Sequence, residues 1–128
     1  MQAYNFIRCV KLNSGDLPPV LDVEEMDGVT PQQFKNQIRE WLEIVENFYK
    51  VKPIIYTYTN FYEDYLSNDF DKYPFWIAHY NRNNHPSTSR DWHFWQHSER
   101  GHVNGINTNV DFNVFNGDSA DFNKLLIQ

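Results

Sequence analysis

Cysteine is almost absent. Cys9 is the only one in 128 residues, so the chain closes no disulfide within itself and offers little for thiol chemistry. Long apolar runs are lacking too, and none approaches the roughly 20 residues of a membrane span. The opening MQAYNFIRCV has neither the basic start nor the unbroken apolar stretch of a secretory leader, so this end leaves the compartment open. A cationic surface is also missing. Eleven Lys and Arg stand against seventeen Asp and Glu, for a formal charge of −6, and the basic residues are scattered. Nucleic acid and membrane are therefore not expected partners. No repeat, linker or low-complexity segment divides the chain, which reads as one domain able to bury about two-thirds of its unfolded surface.

Aromatic residues are plentiful. Ten Phe, eight Tyr and four Trp make up 17% of the chain, enough to build a core from rings or to line a cleft with ring platforms of the kind that hold sugars. Cys9 falls in the apolar pattern Ala3, Phe6, Ile7, Val10 and reads as a structural residue of a helix over 2–12. The turn Asn13-Ser14-Gly15-Asp16 follows, then a strand over Leu17–Glu24. Thr30-Pro31-Gln32-Gln33 combines an N-cap, Pro at the first helical position and Gln at the third. It opens a helix to about Lys50 whose buried face carries Phe34, Ile38, Trp41, Leu42 and Val45. Strands are expected over 53–58, 74–80, 92–98 and 110–115, a short helix from 59 or 60 to 66, a polar loop over 81–91, and a closing helix over 118–126 capped by Asp118 or Ser119. The order α, β, α, β, α, β, β, β, α implies parallel strands joined by right-handed crossovers, with apolar residues on both faces of LPPVLDVE and PIIYTY. This is α/β barrel or open α/β material, with too few strands for a closed (β/α) barrel, so it reads as the latter part of one.

Asp22 and Glu24 sit two residues apart in LPPVLDVEE and share one strand face at its C-terminal end, where parallel α/β folds place their active sites. Two carboxylates this close do not both ionise freely, so one is expected to keep a proton to donate. Glycoside hydrolysis needs such an acid beside a second carboxylate. Asp111 in VDFNVF alternates with apolar residues and would join the pair if a barrel closed. Taken alone, D-x-E on a strand also fits a solvated surface pair or a helix-capping acid. His93 and His97 have a zinc spacing for a helix but not for a strand, and no third ligand is patterned nearby, so no metal or other cofactor is expected.

The chain resembles the glycoside hydrolase family 25 lysozymes, the Chalaropsis-type muramidases. The resemblance rests on GDLPPVLDVE (Gly15–Glu24), PIIYT (Pro53–Thr57), PFWIAHY (Pro74–Tyr80), WHFWQHS (Trp92–Ser98) and GHVNGINTNVDFNVFNG (Gly101–Gly117), in family order. It implies cleavage of the β-1,4 bond between N-acetylmuramic acid and N-acetylglucosamine in bacterial peptidoglycan, outside the cell or at the cell wall. Glu24 matches the general acid/base, Asp22 the acid that orients or stabilises the 2-acetamido group, and Asp111 a late-strand acid of the cluster. Tyr56, Trp76, Tyr80 and Gln96 match cleft positions that line sugar subsites.

The family's opening strand with its Asp-Val-Ser type motif, and two further strand–helix units, have no counterpart here. Residues 1–128 then form a partial catalytic domain, strands four to eight of a TIM-like barrel with the first three absent. The edge of the strand over 17–24 is left open to another chain, such as a second copy in a homodimer. The rival functions are a glycan-binding fragment without chemistry and a chitinase-like N-acetylhexosamine glycosidase.

Overall fold

The computed structural model describes residues 1–80, 82 and 84–128; Asn81 and Asn83, two positions of the expected polar loop, lie outside the described residues. Ten segments follow one another in the expected order. They are α1 (Gln2–Cys9), β1 (Val20–Asp22), α2 (Pro31–Tyr49), β2 (Ile54–Tyr58), α3 (Thr59–Phe61) running into a π-helical turn (Tyr62–Leu66), β3 (Phe75–Ala78), β4 (Phe94–Gly101), β5 (Val110–Phe115) and α4 (Ser119–Leu125).

Local chemistry sets the boundaries. The Thr30 hydroxyl accepts from the Gln33 N–H, and the Gln33 side chain accepts from the Thr30 N–H, closing both ends of a capping box above Pro31. Lys50 ends α2 in the left-handed conformation at φ 60°. Helix α1 stops earlier than expected because Val10 is extended, and its carbonyl takes a hydrogen bond from the Tyr49 hydroxyl at 2.7 Å. Phe6 is the anchor of α1, packed edge-on against Trp41 at 5.5 Å and Tyr49 at 6.1 Å. Cys9 is exposed rather than part of the apolar face. Strand β1 is shorter than the expected 17–24, since Pro18 and Pro19 have no N–H to give to a ladder.

The strands form one sheet in the order β1-β2-β3-β4-β5. The first four are parallel, as expected, but β5 runs antiparallel to β4. The connection over 102–109 explains the reversal, being shorter than the dozen or so residues that a parallel crossover needs. Ile55, Phe75, Ile77 and Trp95 pack on one face against Ile38, Leu42 and Val45 of α2, with Tyr62, Leu66 and Phe70 filling the rest of the core. Arg90 fastens the loop beneath, its guanidinium 4.6 Å from the Phe75 ring centre and donating to the carbonyls of Phe70, Asp71 and Tyr73.

The other face is covered only at its lower end, where Phe122 of α4 meets Phe94 and Phe115. There the chain doubles back on itself. Gly15 N–H donates to the Ile127 carbonyl at 2.8 Å, and Ile127 N–H donates to the Asp16 carbonyl at 2.9 Å, clasping the C-terminal tail to the turn before β1. The architecture is a mixed α/β fold around a five-stranded, mostly parallel sheet. No helix among the described residues is long and apolar enough to cross a membrane.

Candidate active site

The uncovered face gathers most of the residues that the sequence singles out. Register sets Asp22 beside Tyr56, Tyr56 beside Trp76, and Trp76 beside Phe94. One pleat further on, Tyr58, Ala78 and Gln96 form the next row. Side chains two residues apart share a face, so Glu24 lies beyond Asp22 toward the Tyr58 row, at the C-terminal ends of the parallel strands.

A compact polar network holds the floor. The hydroxyls of Tyr56 and Tyr80 both donate to Gln96 Oε1, each at 2.6 Å. Gln96 is buried, and so is Ala78, the small residue that lies between Trp76 and Tyr80 on the same face. Burial raises the pKa of Tyr56 far above its ordinary value, with the neighbouring Tyr80, Tyr58 and Glu24 adding to the effect. Burial likewise pushes Tyr80 up to about 12, helped by Tyr58. Both phenols therefore stay protonated donors at any physiological pH. The Trp76 indole N–H donates to Asn113 Oδ1 at 2.8 Å, which ties β3 to β5 across the face. Trp76 stands edge-on to Tyr56 at 5.8 Å, and Tyr58 edge-on to Tyr80 at 6.2 Å, making a wall of rings.

The two carboxylates stand at one side of this wall. The pKa of Glu24 is raised, first by partial desolvation, then by the hydrogen bond and charge of Asp22, and lastly by the charge of Glu25; a hydrogen bond from Tyr58 opposes the shift. Yet Asp22 and Glu24 are both exposed, although apolar residues stand on both faces of LPPVLDVE. The reason is the position of β1 at the sheet edge, where Leu21 and Val23 turn toward the core and the carboxylates take the opposite face. Asp111 is exposed on β5, the opposite edge strand, and is not among the groups that shift Glu24.

Thus Asp22 and Glu24 come together, as do Tyr56, Trp76, Tyr80 and Gln96, while the open sheet leaves Asp111 apart. Two contributors went unrecognised in the sequence. Tyr58 was signalled by its same-face spacing from Tyr56, and Asn113 by its alternation with the apolar residues of VDFNVF. The described residues contain no cluster of three or more His, Cys, Asp or Glu able to hold a metal ion.

Comparison with known proteins places this geometry in context. The sequence description of glycosyl hydrolases family 25 matches residues 1–106. The uncharacterized protein YegX of Escherichia coli K12 is 44% identical over 117 residues, covering 91% of this chain and 43% of its own length. The autolytic lysozyme of Clostridium acetobutylicum is 31% identical over 114 residues, covering 89% of this chain and 35% of its own. Among solved structures, a family 25 glycosyl hydrolase from Bacillus anthracis superposes with a TM-score of 0.84 at 30% identity, over 96% of this chain and 60% of that one. The chain thus spans less than half the length of these curated relatives.

Proposed function

We propose, because the chain belongs to glycosyl hydrolases family 25, that it is built for hydrolysis of peptidoglycan at the β-1,4 bond between N-acetylmuramic acid and N-acetylglucosamine. The observation that carries this reading is Glu24, held beside Asp22 with a raised pKa at the C-terminal end of parallel strands and facing a wall of rings. A carboxylic acid that holds its proton beyond the ordinary range is suited to protonate a departing glycosidic oxygen. In this reading Glu24 is the proton donor. Asp22 orients the 2-acetamido group or stabilises positive charge at the anomeric carbon, and Asp111, on the opposite edge strand, adds electrostatic support only where the sheet closes into a barrel. Tyr56, Trp76, Tyr80 and Gln96 hold the sugars, with ring faces for stacking and a buried amide for their polar groups.

The reading extends to architecture and place. Residues 1–128 correspond to a partial catalytic domain, strands four to eight of a TIM-like barrel, acting at the cell wall on bacterial peptidoglycan. The exposure of Asp22 and Glu24 favours one alternative, a form that binds glycan on its rings without cleaving it. An active site open to water loses much of the electrostatic gain that a closed cleft supplies.

The test is digestion of purified peptidoglycan with this chain and with Glu24→Gln, followed by mass spectrometry of borohydride-reduced products. Fragments ending in reduced N-acetylmuramic acid, released by the wild type alone, are the expected result. Muropeptide binding without release by either protein selects the glycan-binding form, and cleavage of chitin oligomers but not peptidoglycan sinks the muramidase assignment.

A further inference from the structure

Two Asn-Gly pairs occur in the chain, Asn104-Gly105 and Asn116-Gly117, and the structure holds them in opposite ways. In such a pair the amide side chain is open to attack by its own backbone, because the following glycine has no Cβ to block the approach. Asn104 and Gly105 are the central residues of a turn in the connection over 102–109, every residue of which is exposed. The Ile106 N–H closes the turn by donating to the Val103 carbonyl at 3.0 Å. Gly105 sits at φ 92° while Asn104 stays outside the left-handed region, which is the type II pattern. Among the described residues the Gly105 N–H and the Asn104 side chain have no hydrogen-bond partner, and a Cβ at Gly105 would meet nothing within 4 Å. Asn116 is exposed as well, but it is tethered twice. Its N–H donates to the His93 carbonyl at 2.8 Å and its side-chain amide to the Trp92 carbonyl at 3.0 Å. A Cβ on Gly117 would stand 2.9 Å from the Phe115 ring and 3.0 Å from the Asp121 Cβ, and Asp118 caps α4 directly after it.

We propose that Asn104 is a self-modification site, converting to isoaspartate and aspartate through a cyclic imide, while the packing around Asn116 protects it. The Gly105 backbone nitrogen gives its proton to hydroxide and bonds to Asn104 Cγ. The Cγ–Nδ2 bond breaks, and the amide nitrogen leaves as ammonia. Water then adds to either carbonyl of the ring and opens it. One water enters and one ammonia departs with no change of oxidation state, so solvent supplies all that the reaction consumes. The turn must first let the Asn104 carboxamide swing over the Gly105 nitrogen, which costs the one exposed hydrogen bond from Ile106 to Val103. At Asn116 the same swing has to release the Trp92 carbonyl and press into Phe115 and Asp121. A small misplacement of reacting atoms can slow such a ring closure by about 100-fold. The product adds one negative charge to a chain already at −6. In isoaspartate the chain runs through the side-chain carbon, which lengthens a two-residue turn by one backbone atom and loosens the joint between β4 and β5.

The test calls on no hydrolysis of glycan and so stands apart from the muramidase reading. The folded chain is incubated in mildly alkaline buffer, digested and mapped by mass spectrometry, with isoaspartate scored by a protein isoaspartyl methyltransferase and a labelled methyl donor. The peptide carrying Asn104 is expected to gain the mass of an amide exchanged for an acid at least about tenfold faster than the peptide carrying Asn116, with isoaspartate among its products. In urea the two rates should draw level, since the pairs share one chemistry once the packing is gone. Gly105→Ala sets a methyl group beside the attacking nitrogen and should slow the Asn104 reaction at least about tenfold. Asn104→Gln, whose longer side chain has to close a larger ring, should lose the signal and keeps the test decisive if Gly105→Ala distorts the turn. Equal rates at the two sites in the folded chain overturn the proposal, as does a faster Asn116 or no reaction at either. So does an Asn104 product free of isoaspartate, which would mean direct hydrolysis without ring closure.

Discussion

At the scale of single residues, Glu24 and Gln96 divide function from stability. A carboxyl whose pKa is raised on folding contributes most below its unfolded value, and that contribution is lost as pH rises through the folded one. Glu24→Gln is therefore expected to melt at a higher temperature than the wild type at pH 7, with the difference shrinking toward pH 4, and, on the proposed reading, to release no muropeptides. Thermal melts across that range check it. Gln96→Leu removes the acceptor that Tyr56 and Tyr80 share and should lower stability by about 1–3 kcal/mol in urea titrations. Asp22 and Glu24 were legible in the sequence because polar residues in an apolar strand stand out. The Tyr58 contribution was legible only in part, since its spacing from Tyr56 gives the face it occupies but not which carboxylate its hydroxyl meets across the β1–β2 pairing.

Elements were legible where a local rule governs them. The capping box at Thr30 and Gln33 and the helix it opens follow from adjacent residues alone, and Thr30→Ala should cost about 1 kcal/mol in the same titrations. The direction of β5 was less accessible, because it depends on how short the 102–109 connection is relative to the crossover it replaces. Irregular register in β4 was hidden for a similar reason. It shifts between Gln96 and Ser98 and again before Gly101. Gly101 is the telling position, for a Cβ there would stand 2.7 Å from the Phe112 ring. Gly101→Ala is expected to destabilise by about 1–3 kcal/mol through overpacking. Adding Phe112→Leu should recover part of that loss, and a double-mutant cycle by chemical denaturation measures the coupling.

At the scale of the whole molecule, two histidines set the response to acid. Burial lowers the pKa of His93 from its ordinary 6.5, reinforced by the charge of Arg90, and its Nδ1 accepts from the Phe75 N–H at 3.3 Å. Burial lowers His79 as well, helped by Arg82. In each case the unfolded chain takes up a proton more readily than the folded one. The contribution of these two histidines is thus fully present above pH 6.5 and is lost as pH falls below it. His93→Gln, which keeps an acceptor without the charge, should flatten that acid limb in melts from pH 7.5 to 5. The clasp between Asp16 and Ile127 bears on time rather than on energy. It joins positions near the two ends of the chain, so of all the pairings it encloses the longest loop and has the most entropy to overcome. The helix-side core, made of contacts closer in sequence, is expected to assemble first, with the clasp fastening last. It should likewise be the first link to let go, so that the tail and the turn before β1 part on a faster clock than the core opens.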